Sequence, residues 1–316
     1  MEQTSVVTGG AGFIGSNLVH ALLARGDRVR VFDDLSSGRA VNLEDVRSDI
    51  EVMDGDVRDA GAVARAVDGA TVVFHQAAIP SVARSVADPM SSNDVNVTGT
   101  LNVLVAARDA AVERVVYASS AAVYGNADVL PLHEGMPTRP ASPYGVSKLA
   151  GERYLEAFTL TYGLPTVALR YLNVFGPRQN ARSEYASAIP RFISCTLGGD
   201  APTIFGDGEQ ARDFVFVDDV VQANLLAAEA SAPAWGRAFN VGRGERRTVN
   251  ELLDAVRMLV PGEHPEPVHA PPRPGEVRDS WSNINAAHEV LGYEPAVAFE
   301  EGLRRTIERI ALEDSL

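Results

Sequence analysis

The stretch Thr8-Gly-Gly-Ala-Gly-Phe-Ile-Gly15 contains three glycines, Gly9, Gly12 and Gly15, spaced three residues apart. A short β-branched run precedes the stretch and an amphipathic run follows it, which predicts a strand, a tight turn and a helix. In that context the first glycine allows the turn, the second lets the backbone approach a pyrophosphate, and the third lets the helix pack closely on the strand. Because the helix amino terminus then faces the anion, the stretch predicts a dinucleotide-binding site.

An acidic residue, Asp33, ends the second predicted strand, 18 residues after Gly15. A carboxylate at that place can accept hydrogen bonds from both ribose hydroxyls of an adenosine, and it repels a 2′-phosphate. The sequence therefore favours NAD as the cofactor. Arg39, in the loop that follows, leaves NADP open as an alternative.

Short β-rich runs alternate with longer helical patterns through the first half of the chain, which is typical of a parallel sheet covered by helices on both faces. The predicted strands are Ser5–Thr8, Val29–Asp33, Ile50–Asp54, Val72–His75, Val115–Ser119 and Thr166–Arg170. The predicted helices are Phe13–Ala24, Ala60–Val67, Ser91–Ala111, Pro143–Tyr162, Tyr185–Leu197, Val220–Glu229 and Glu251–Val260. After about Leu172 this alternation ends, and stretches rich in glycine and proline separate shorter elements.

This organisation predicts an α/β fold, with a Rossmann-type doubly wound parallel sheet and a smaller C-terminal α/β domain that binds the substrate. We place the cofactor-binding domain at residues 1–172 and the substrate domain mainly at 173–316. A return to the first domain is expected near 213–242, beginning at Asp213–Val221. The Thr248-x-x-Glu251 pattern predicts a capping box at the start of the last predicted helix.

Lys148 is the only lysine of the chain, and it follows Tyr144 by four residues. Since the chain has 28 lysines and arginines in total, the other 27 are arginine. A lone lysine indicates a position that needs a compact ammonium whose pKa can shift. Residues i and i+4 share a helix face, so both side chains can point into one site. A nearby ammonium favours the phenolate of a tyrosine, which makes Tyr144 a candidate proton acceptor near neutral pH.

The composition excludes several classes of partner and cofactor. A net charge of −14 over 316 residues argues against a nucleic acid or an anionic membrane surface, because both need a basic face. The single Cys195 leaves no internal disulfide and no cysteine-rich zinc site, and the spacing of the six histidines predicts no metal. We find no signal-peptide pattern and no long apolar run, so we expect no membrane anchor and a cytoplasmic location.

Four further segments carry a resemblance to a known family. They are Ser119-Ser-Ala-Ala-Val-Tyr-Gly125, Arg170-Tyr-Leu-Asn-Val-Phe-Gly-Pro177, Arg212-Asp-Phe-Val-Phe-Val217 and Arg273-Pro-Gly-Glu276, where the family has aspartate in place of Glu276. With the glycine stretch and the Tyr144/Lys148 pair, they resemble the extended short-chain dehydrogenases/reductases over essentially the whole chain. Within that group the chain is most similar to UDP-hexose 4-epimerases of the UDP-glucose/UDP-N-acetylglucosamine type.

The resemblance implies NAD-dependent 4-epimerisation of a UDP-hexose through a transient 4-keto sugar. Tyr144 would take the proton of the 4-hydroxyl, Lys148 would bind the nicotinamide ribose and lower the pKa of Tyr144, and Ser120 would hydrogen-bond the reacting oxygen. The hydride passes from C4 to NAD and returns on the other face of the sugar. The implied cofactor-binding residues are Gly9, Gly12, Phe13, Ile14, Gly15, Asp33, Asp34, Ser37, Gly38, Asp56, Val57, Gln76, Ala77, Ala78, Asn96, Ser119, Tyr144, Lys148 and Tyr171. The implied substrate-binding residues are Ser81, Ser120, Tyr144, Asn173, Arg212, Arg273, Glu276 and Ser280.

The resemblance also implies which sugars fit and how subunits associate. Ser280 stands where the family has the residue beside the sugar 2-substituent, and a small residue there leaves room for an N-acetyl group. UDP-GlcNAc and UDP-GalNAc are therefore expected substrates, as well as UDP-glucose and UDP-galactose. Family members usually dimerise through two helices, here Ser91–Ala111 and Pro143–Tyr162. A homodimer is expected from apolar residues beyond a single stripe, although these could instead form an intramolecular face: Leu101, Leu104, Val105, Leu155 and Phe158.

Three alternatives to this function stay open. A sugar-nucleotide dehydratase or decarboxylase is disfavoured, because dehydratases place Thr-Asp-Glu after the fifth strand and this chain has Ser120, Ala121 and Ala122, of which the alanines cannot move protons. A UDP-uronate 4-epimerase would use the same chemistry as a UDP-hexose 4-epimerase. A non-catalytic NAD-binding regulator is disfavoured because such proteins usually have lost the Tyr/Lys pair.

Overall fold

The computed structural model describes residues 3–180, 187–272 and 277–314. Its strands are β1 (Thr4–Thr8), β2 (Arg28–Asp33), β3 (Ile50–Asp54), β4 (Val72–His75), β5 (Arg114–Ser120), β6 (Thr166–Tyr171), β7 (Asn173–Phe175), β8 (Thr203–Phe205), β9 (Ala211–Arg212), β10 (Phe214–Phe216), β11 (Arg237–Val241), β12 (Arg247–Thr248), β13 (Val268–Ala270) and β14 (Asp279–Ser280). Its α-helices are α1 (Phe13–Arg25), α2 (Ala60–Val67), α3 (Val82–Ala87), α4 (Pro89–Asn93), α5 (Gly99–Asp109), α6 (Pro143–Tyr162), α7 (Ala188–Gly198), α8 (Val217–Glu229), α9 (Val249–Leu259), α10 (Asn285–Leu291) and α11 (Phe299–Asp314).

The central sheet has seven strands in the order β11-β6-β5-β4-β1-β2-β3, and every neighbouring pair is parallel. From β1 the chain runs outward through β2 and β3, and then in the other direction through β4, β5 and β6. The strand order therefore reverses beside β1, and ligands of such sheets bind at the carboxyl ends of the strands at this point. The prediction of a Rossmann-type doubly wound α/β fold is confirmed.

The predicted secondary structure of the first half is close to the observed one. All six predicted strands are present, with each end shifted by no more than one residue, and α2 and α6 have the predicted bounds. Thr248 and Glu251 form the predicted capping box at the start of α9. The sequence analysis did not predict α3, α10 and α11, and the predicted helix Tyr185–Leu197 is observed as α7, with Tyr185 outside the described residues.

The prediction of one regular helix over Ser91–Ala111 is wrong in detail. The first turn begins at Pro89, because the carboxylate of Asp88 accepts a hydrogen bond from the backbone N–H of Ser91 at 3.1 Å. A wider turn of π type at Asp94–Thr98 then joins α4 to α5. Such turns are rare and occur often at functional sites.

Both faces of the sheet are buried under apolar side chains. Val7, Leu18 and Phe239 belong to the buried cluster on one face, whereas Val6 and Phe32 belong to the cluster on the other face. Because successive residues of a strand point to opposite faces, a sheet covered on both sides requires nearly continuous apolar strands. This requirement explains why the strands could be found in the sequence with small errors.

Three of the five apolar residues that were named for a dimer face are buried inside the subunit. Leu104, Leu155 and Phe158 are 0, 2 and 6 % exposed, respectively, whereas Leu101 and Val105 are partly buried and pack against the same core cluster. For the three buried residues the alternative of an intramolecular face applies, because they lie on the side of α5 and α6 that covers the sheet.

The C-terminal half contributes both to the sheet and to a separate cluster. β11 pairs with β6 at the edge of the sheet, and α8 packs against α1. Helices α7, α9 and α11 enclose a third apolar cluster, in which the ring of Phe175 lies 5.6 Å from the rings of both Phe216 and Phe299. α11 approaches these rings closely because Gly302 has no side chain; a Cβ there would lie 2.7 Å from the Phe216 ring.

None of the helices in the described residues is long and apolar enough to cross a lipid bilayer. The His, Cys, Asp and Glu side chains of the same residues form no group of three or more that could hold a metal ion.

Candidate active site

A cleft of about 1020 Å³ opens where the carboxyl ends of β1, β4, β5 and β6 meet. Most of the predicted site residues line it, namely Gly9, Gly12, Phe13, Ile14, Gly15, Asp33, Asp34, Ser37, Gly38, Val57, Gln76, Ala77, Ala78, Ser81, Ser119, Ser120, Tyr144, Lys148, Tyr171, Asn173 and Arg212. Asp56, Asn96 and Ser280 are not among the lining residues. Arg273 and Glu276 lie outside the described residues.

Each described residue that was predicted for the site but does not line the cleft has a partner that does. The carboxylate of Asp56 accepts hydrogen bonds from the guanidinium of Arg58, the shortest at 2.5 Å from Nη2. The amide of Asn96 accepts from the Ile79 backbone N–H at 2.8 Å and donates to the Ile79 carbonyl and to Ser147 Oγ, so it holds residues adjacent to the cleft. Ser280, on β14, is the direct register partner of a lining residue of β9.

The turn between β1 and α1 requires glycine at two of the three predicted positions. Gly9 has φ = +68°, and a Cβ there would lie 2.7 Å from the backbone nitrogen of Ala77 at the end of β4. A Cβ at Gly15 would lie 2.1 Å from the carbonyl oxygen of Gly9, so α1 can pack on the turn only without a side chain there. Gly12 precedes the first residue of α1 and lines the cleft, where no side chain covers its backbone.

Asp33 stands beside this turn and is 8 % exposed. Its Oδ2 accepts from the backbone N–H of Ala11, and its Oδ1 accepts from that of Leu35, both at 2.9 Å. Burial raises the pKa of Asp33, and these two hydrogen bonds act against the rise. Each carboxylate oxygen can accept a further hydrogen bond. The guanidinium of Arg39 donates to Glu313 at 3.2 Å, so its charge is paired within the protein.

These features fit a bound dinucleotide. The first turn of α1 carries no acidic residue, and its N-cap is a glycine without a side-chain hydrogen bond, so the free N–H groups can bind an anion. Asp33 adds acceptors for ribose hydroxyls at the adjacent strand end. The residues present therefore fit NAD, with the pyrophosphate at the glycine turn and the adenosine ribose at Asp33.

We expect Asp33→Ala to weaken NAD binding and to narrow the preference for NAD over NADP. Loss of a charged acceptor typically costs about 1.5–3 kcal/mol, which is roughly tenfold or more in affinity. Asp33→Asn is the matched variant, because it keeps an acceptor for one backbone N–H but loses the charge that repels a 2′-phosphate. The dissociation constants of both cofactors, measured by calorimetry, check this. NADP in the extract of the wild-type protein would contradict the cofactor assignment.

The predicted catalytic side chains converge at the end of β5. The Ser120 hydroxyl accepts from the backbone N–H of Ala122 at 3.1 Å, and Ser120 and Tyr144 both line the cleft. Burial raises the pKa of Tyr144, and the Ser120 side chain acts in the opposite direction. Lys148 Nζ lies 5.9 Å from the centre of the Tyr144 ring, so the ammonium and the phenol occupy one site.

Lys148 is almost completely buried, with 3 % exposure. Its Nζ donates to the carbonyl of Ala118 at 2.7 Å and lies 4.9 Å from the centre of the Tyr117 ring. Burial lowers the pKa of Lys148 to about 7, and the carboxylate of Glu152 opposes the shift. A lysine near that value can change its charge in the physiological range, whereas arginine cannot.

Sequence analysis missed Glu152 and did not single out Arg170 for the site. Their side chains form a buried ion pair, each 5 % exposed, with Nη2 and Oε2 2.7 Å apart. The same carboxylate accepts from Ser119 Oγ at 2.5 Å. A signal was present in the sequence, because Tyr144, Lys148 and Glu152 follow one another at intervals of four residues and therefore share a helix face.

Sequence analysis also missed Asn224 on α8. Its amide meets the hydroxyl of Tyr171 at 2.8 Å and the amide of Gln76 at 3.0 Å, in a buried cluster beneath the cleft. Tyr171 and Gln76 both line the cleft, so Asn224 fixes two lining side chains from behind. The available signal was a polar residue between buried apolar residues of the same helix, such as Val220 and Ala227.

A directional chain of hydrogen bonds runs through His75 at the end of β4. Ala77 N–H donates to Thr8 Oγ1 at 3.2 Å, and Thr8 Oγ1 lies 2.7 Å from His75 Nδ1. Nε2 lies 3.0 Å from Thr100 Oγ1, whose proton is donated to the Asn96 carbonyl at 2.6 Å. Nε2 therefore carries a proton, and in the neutral ring Nδ1 accepts from the Thr8 hydroxyl. Burial and the Lys148 charge lower the pKa of His75 to about 3.

The other end of the cleft is formed by the C-terminal half. Arg212 lines the cleft, and its Nη1 donates to the carbonyl of Arg278 at 2.7 Å. Its neighbour Asp213 is completely buried and accepts from the backbone N–H of Arg243 at 2.8 Å and from Ser282 Oγ at 2.7 Å. Asp213 therefore fixes the strand that carries Arg212.

Comparison with known proteins agrees with this geometry. The chain is 44 % identical over 309 residues to a UDP-glucose 4-epimerase of Mycolicibacterium smegmatis, covering 96 % of this chain and 97 % of that protein. A crystal structure of a UDP-glucose 4-epimerase from Thermotoga maritima with UDP-glucose matches with a TM-score of 0.94 and 39 % identity, covering 98 % of this chain and 99 % of that one. A UDP-N-acetylglucosamine 4-epimerase from Methanobrevibacter ruminantium, in complex with UDP-N-acetylmuramic acid, matches with a TM-score of 0.94 and 37 % identity, covering 99 % of both chains. Residues 5–242 match the model of the NAD dependent epimerase/dehydratase family, and the chain belongs to this family.

Proposed function

We propose that the protein is a UDP-hexose 4-epimerase that uses NAD. The observation that carries this proposal is the convergence of Ser120, Tyr144 and Lys148 at the end of β5, next to the glycine turn of the cofactor site. A proton acceptor and its ammonium, placed beside a dinucleotide, serve the oxidation of a hydroxyl. The similarity to UDP-glucose 4-epimerases over nearly the whole chain supports the same activity.

The residues of the chain divide the proton chemistry among them. Tyr144, as phenolate, accepts the proton of the sugar 4-hydroxyl and returns it when the 4-keto sugar is reduced. Ser120 is held by Ala122 N–H and hydrogen-bonds the same oxygen. Lys148 stabilises the phenolate through its charge. NAD, when bound, supplies a hydride acceptor for C4 of the sugar. Because hydride removal and return use the same site, the cofactor has no need to leave.

The test is the conversion of UDP-glucose that carries deuterium at C4. Purified protein should interconvert it with UDP-galactose, and the deuterium should stay at C4 because the hydride returns within one site. A dehydratase would instead release water and exchange sugar protons with the solvent. Bound NAD should appear in the extract of the denatured protein. Loss of the label to solvent, or no conversion by protein that retains NAD, would rule out the proposal.

The sugar end of the site also supports N-acetylated substrates. Ser280 forms the strand pair with Arg212, so it stands one strand away from a residue that lines the cleft. We expect the wild-type protein to interconvert UDP-GlcNAc and UDP-GalNAc. Ser280→Tyr should abolish that reaction and spare UDP-glucose, because an added ring would fill the space of the acetamido group. The ratio of kcat/KM for the two substrates in both proteins measures this, and an unchanged ratio would contradict it.

A UDP-uronate 4-epimerase is the second candidate, because it would use the same three side chains. Arg84 lines the cleft, and its backbone N–H donates to Oγ of Ser81, a predicted substrate-binding residue, at 3.1 Å. A planar guanidinium suits a carboxylate. Turnover of UDP-glucuronate by the wild-type protein, and its loss in Arg84→Gln with UDP-glucose turnover retained, would favour this candidate.

We also propose that residues 1–172, with the return segment near 213–242, bind NAD, and that 173–316 mainly bind the UDP-sugar. The pairing of β11 with β6 supports the return, and the position of Arg212 and Asn173 on the cleft wall supports the second part. A cytoplasmic location remains a prediction from the sequence.

We propose that the protein forms a homodimer through the outer face of α3, α4 and α6. This face carries Val86, Met90, Val146 and Tyr154, which are 64, 70, 53 and 38 % exposed. Met90 and Val146 line the same shallow depression, so these two apolar residues lie close together. Val146→Glu should convert a dimer into monomers in light scattering, whereas Met258→Glu, at an equally apolar exposed residue of α9, should not. A monomeric wild-type protein would contradict this proposal.

A further inference from the structure

A buried carboxylate, Glu152, lies on the catalytic helix behind the cleft wall. It follows Lys148 by four residues on α6, so the two side chains share one face of the helix. Glu152 is 5 % exposed and Lys148 3 %. Glu152 is not among the residues that line the cleft, whereas Lys148 is. It can therefore act on the reaction only through its neighbours.

Three hydrogen bonds fix this carboxylate against the sheet. Arg170 donates from Nε to Oε1 at 2.9 Å and from Nη2 to Oε2 at 2.7 Å, and Ser119 Oγ donates to Oε1 at 2.5 Å. Ser119 and Arg170 are direct register partners on β5 and β6. Two adjacent strands therefore hold one side chain of the helix in a fixed position, in the bidentate geometry that charged pairs prefer.

The far side of the ion pair is also hydrogen-bonded. Arg170 Nη1 donates to the hydroxyl of Tyr124 at 2.9 Å, and that hydroxyl donates to Asn240 Oδ1 at 2.7 Å. A buried ion pair of this kind is often neutral for stability compared with apolar residues of the same size. Since stability alone does not explain the ion pair, its position behind Lys148 indicates a role in the site.

Burial disfavours the charge of Lys148, whereas this carboxylate favours it. Burial lowers the pKa of Lys148, and the Glu152 charge raises it. The titratable and charged groups that face the ammonium are Tyr144 and Glu152 on α6, Tyr117 on β5, His75 on β4 and, behind Glu152, Arg170 on β6. His75 is neutral and the two tyrosines carry no charge when protonated. Glu152 is therefore the carboxylate, among the described residues, that favours the ammonium.

We propose that Glu152 is a positioning residue whose negative charge, fixed by Arg170, keeps Lys148 protonated beside Tyr144. One proton is shared between these two groups, and only the form with a charged ammonium and a phenolate can accept the proton of the sugar hydroxyl. The other form, with neutral lysine and neutral tyrosine, is inactive. The ratio of the two forms depends on the difference between the two pKa values, and one unit changes it tenfold.

The single lysine of the chain makes this measurable without an activity assay. Protein grown with lysine labelled with carbon-13 at the ε position should give one ε resonance, from Lys148, whose titration reports its pKa. We expect the midpoint in Glu152→Gln to fall by about 1–3 units, the usual effect of losing a nearby opposite charge. Glu156→Gln is the matched control, because Glu156 pairs with Arg153 on the exposed side of the same helix. Its midpoint should equal that of the wild type.

A double variant separates this role from a purely structural one. In Glu152→Gln the Arg170 guanidinium remains and repels the ammonium, and it can also destabilise the fold. Glu152→Gln/Arg170→Met removes both charges, so its midpoint should lie between those of the single variant and the wild type. A midpoint equal to the wild type in both variants, or a shift of the same size in Glu156→Gln, would overturn the proposal. All titrations use protein with equal NAD content.

The kinetic measurement rests on the proposed function, whereas the titration does not. Each unit by which the Lys148 midpoint falls should lower kcat for UDP-glucose about tenfold, with KM changed less than about twofold, because Glu152 does not touch the substrate. If the midpoint shifts and no epimerase activity exists in the wild type, the proposed function fails and the positioning role stands. If activity exists and kcat is unchanged despite the shift, the positioning role fails.

Discussion

Lys148→Arg is expected to lower kcat by about 10²–10⁴-fold, the range typical of a positioned acid–base group. Lys148 is 3 % exposed as a residue, and its ammonium lies between the Ala118 carbonyl and the Tyr117 ring. A planar guanidinium is larger, spreads its charge and cannot occupy the same position. Tyr144→Phe should lose a comparable factor, because it removes the proton acceptor itself. Initial rates with UDP-glucose at saturating substrate measure both.

The control for this prediction is Tyr162→Phe. Tyr162 ends the same helix, is 53 % exposed and lies away from the cleft. The rate of the Tyr162→Phe variant should stay within about twofold of the wild type, because substitutions at exposed residues have small effects. The circular dichroism and NAD content of Lys148→Arg should resemble those of the wild type. Amine-directed reagents should then label only its amino terminus, since the chain has no second lysine. A near-normal rate in Lys148→Arg would refute the catalytic assignment.

The fold could be predicted because its main constraints are local in sequence. The glycine turn needs Gly9 and Gly15 for steric reasons that involve adjacent elements. Strands that are buried on both faces need continuous apolar runs, which are visible without knowing the partners. α11 was not predicted, because its Phe299–Asp314 sequence is largely charged and its close packing depends on Gly302 and the distant Phe216 ring.

From residue spacing alone, the catalytic residues could be predicted only where they share one element, and the family resemblance was needed for the others. Tyr144 and Lys148 were found from their spacing on a single helix. Glu152 has its partner Arg170 18 positions away, and Asn224 meets Gln76 across 148 positions. Such pairs depend on the packing of strands and helices, which a helical or strand period does not encode. The choice between a dimer face and an intramolecular face stayed open for the same reason, since the hydrophobic pattern of a helix does not say which stripe covers the sheet.

The second large effect concerns acid stability and His75. The ring is 1 % exposed, and in its neutral form it continues the hydrogen-bond chain from Ala77 through Thr8 to Thr100. Burial, and then the charge of Lys148, lower its pKa from 6.5 to about 3. Between pH 6.5 and about 3, His75 is protonated in the unfolded chain but neutral in the folded chain. The stability from the neutral ring is therefore complete above pH 6.5 and is lost as the pH falls toward 3.

The size of this effect is about 5 kcal/mol over that pH window, by linkage between the two states. His75→Gln should remove this pH dependence of stability, because an amide can accept from Thr8 and donate to Thr100 without titrating. We expect the wild type to be more stable than His75→Gln at pH 7 and to lose that advantage, or reverse it, near pH 4 in urea unfolding. His133→Gln, at an exposed imidazole that folding leaves in water, should follow the wild type at every pH. Parallel curves for the wild type and His75→Gln would show that the ring takes up its proton without cost.

His75, Thr8 and Asn96 join the ends of β1 and β4 to the turn before α5. Acid should therefore open the cofactor site in the same pH range, and NAD release measured beside unfolding should follow the same pH dependence.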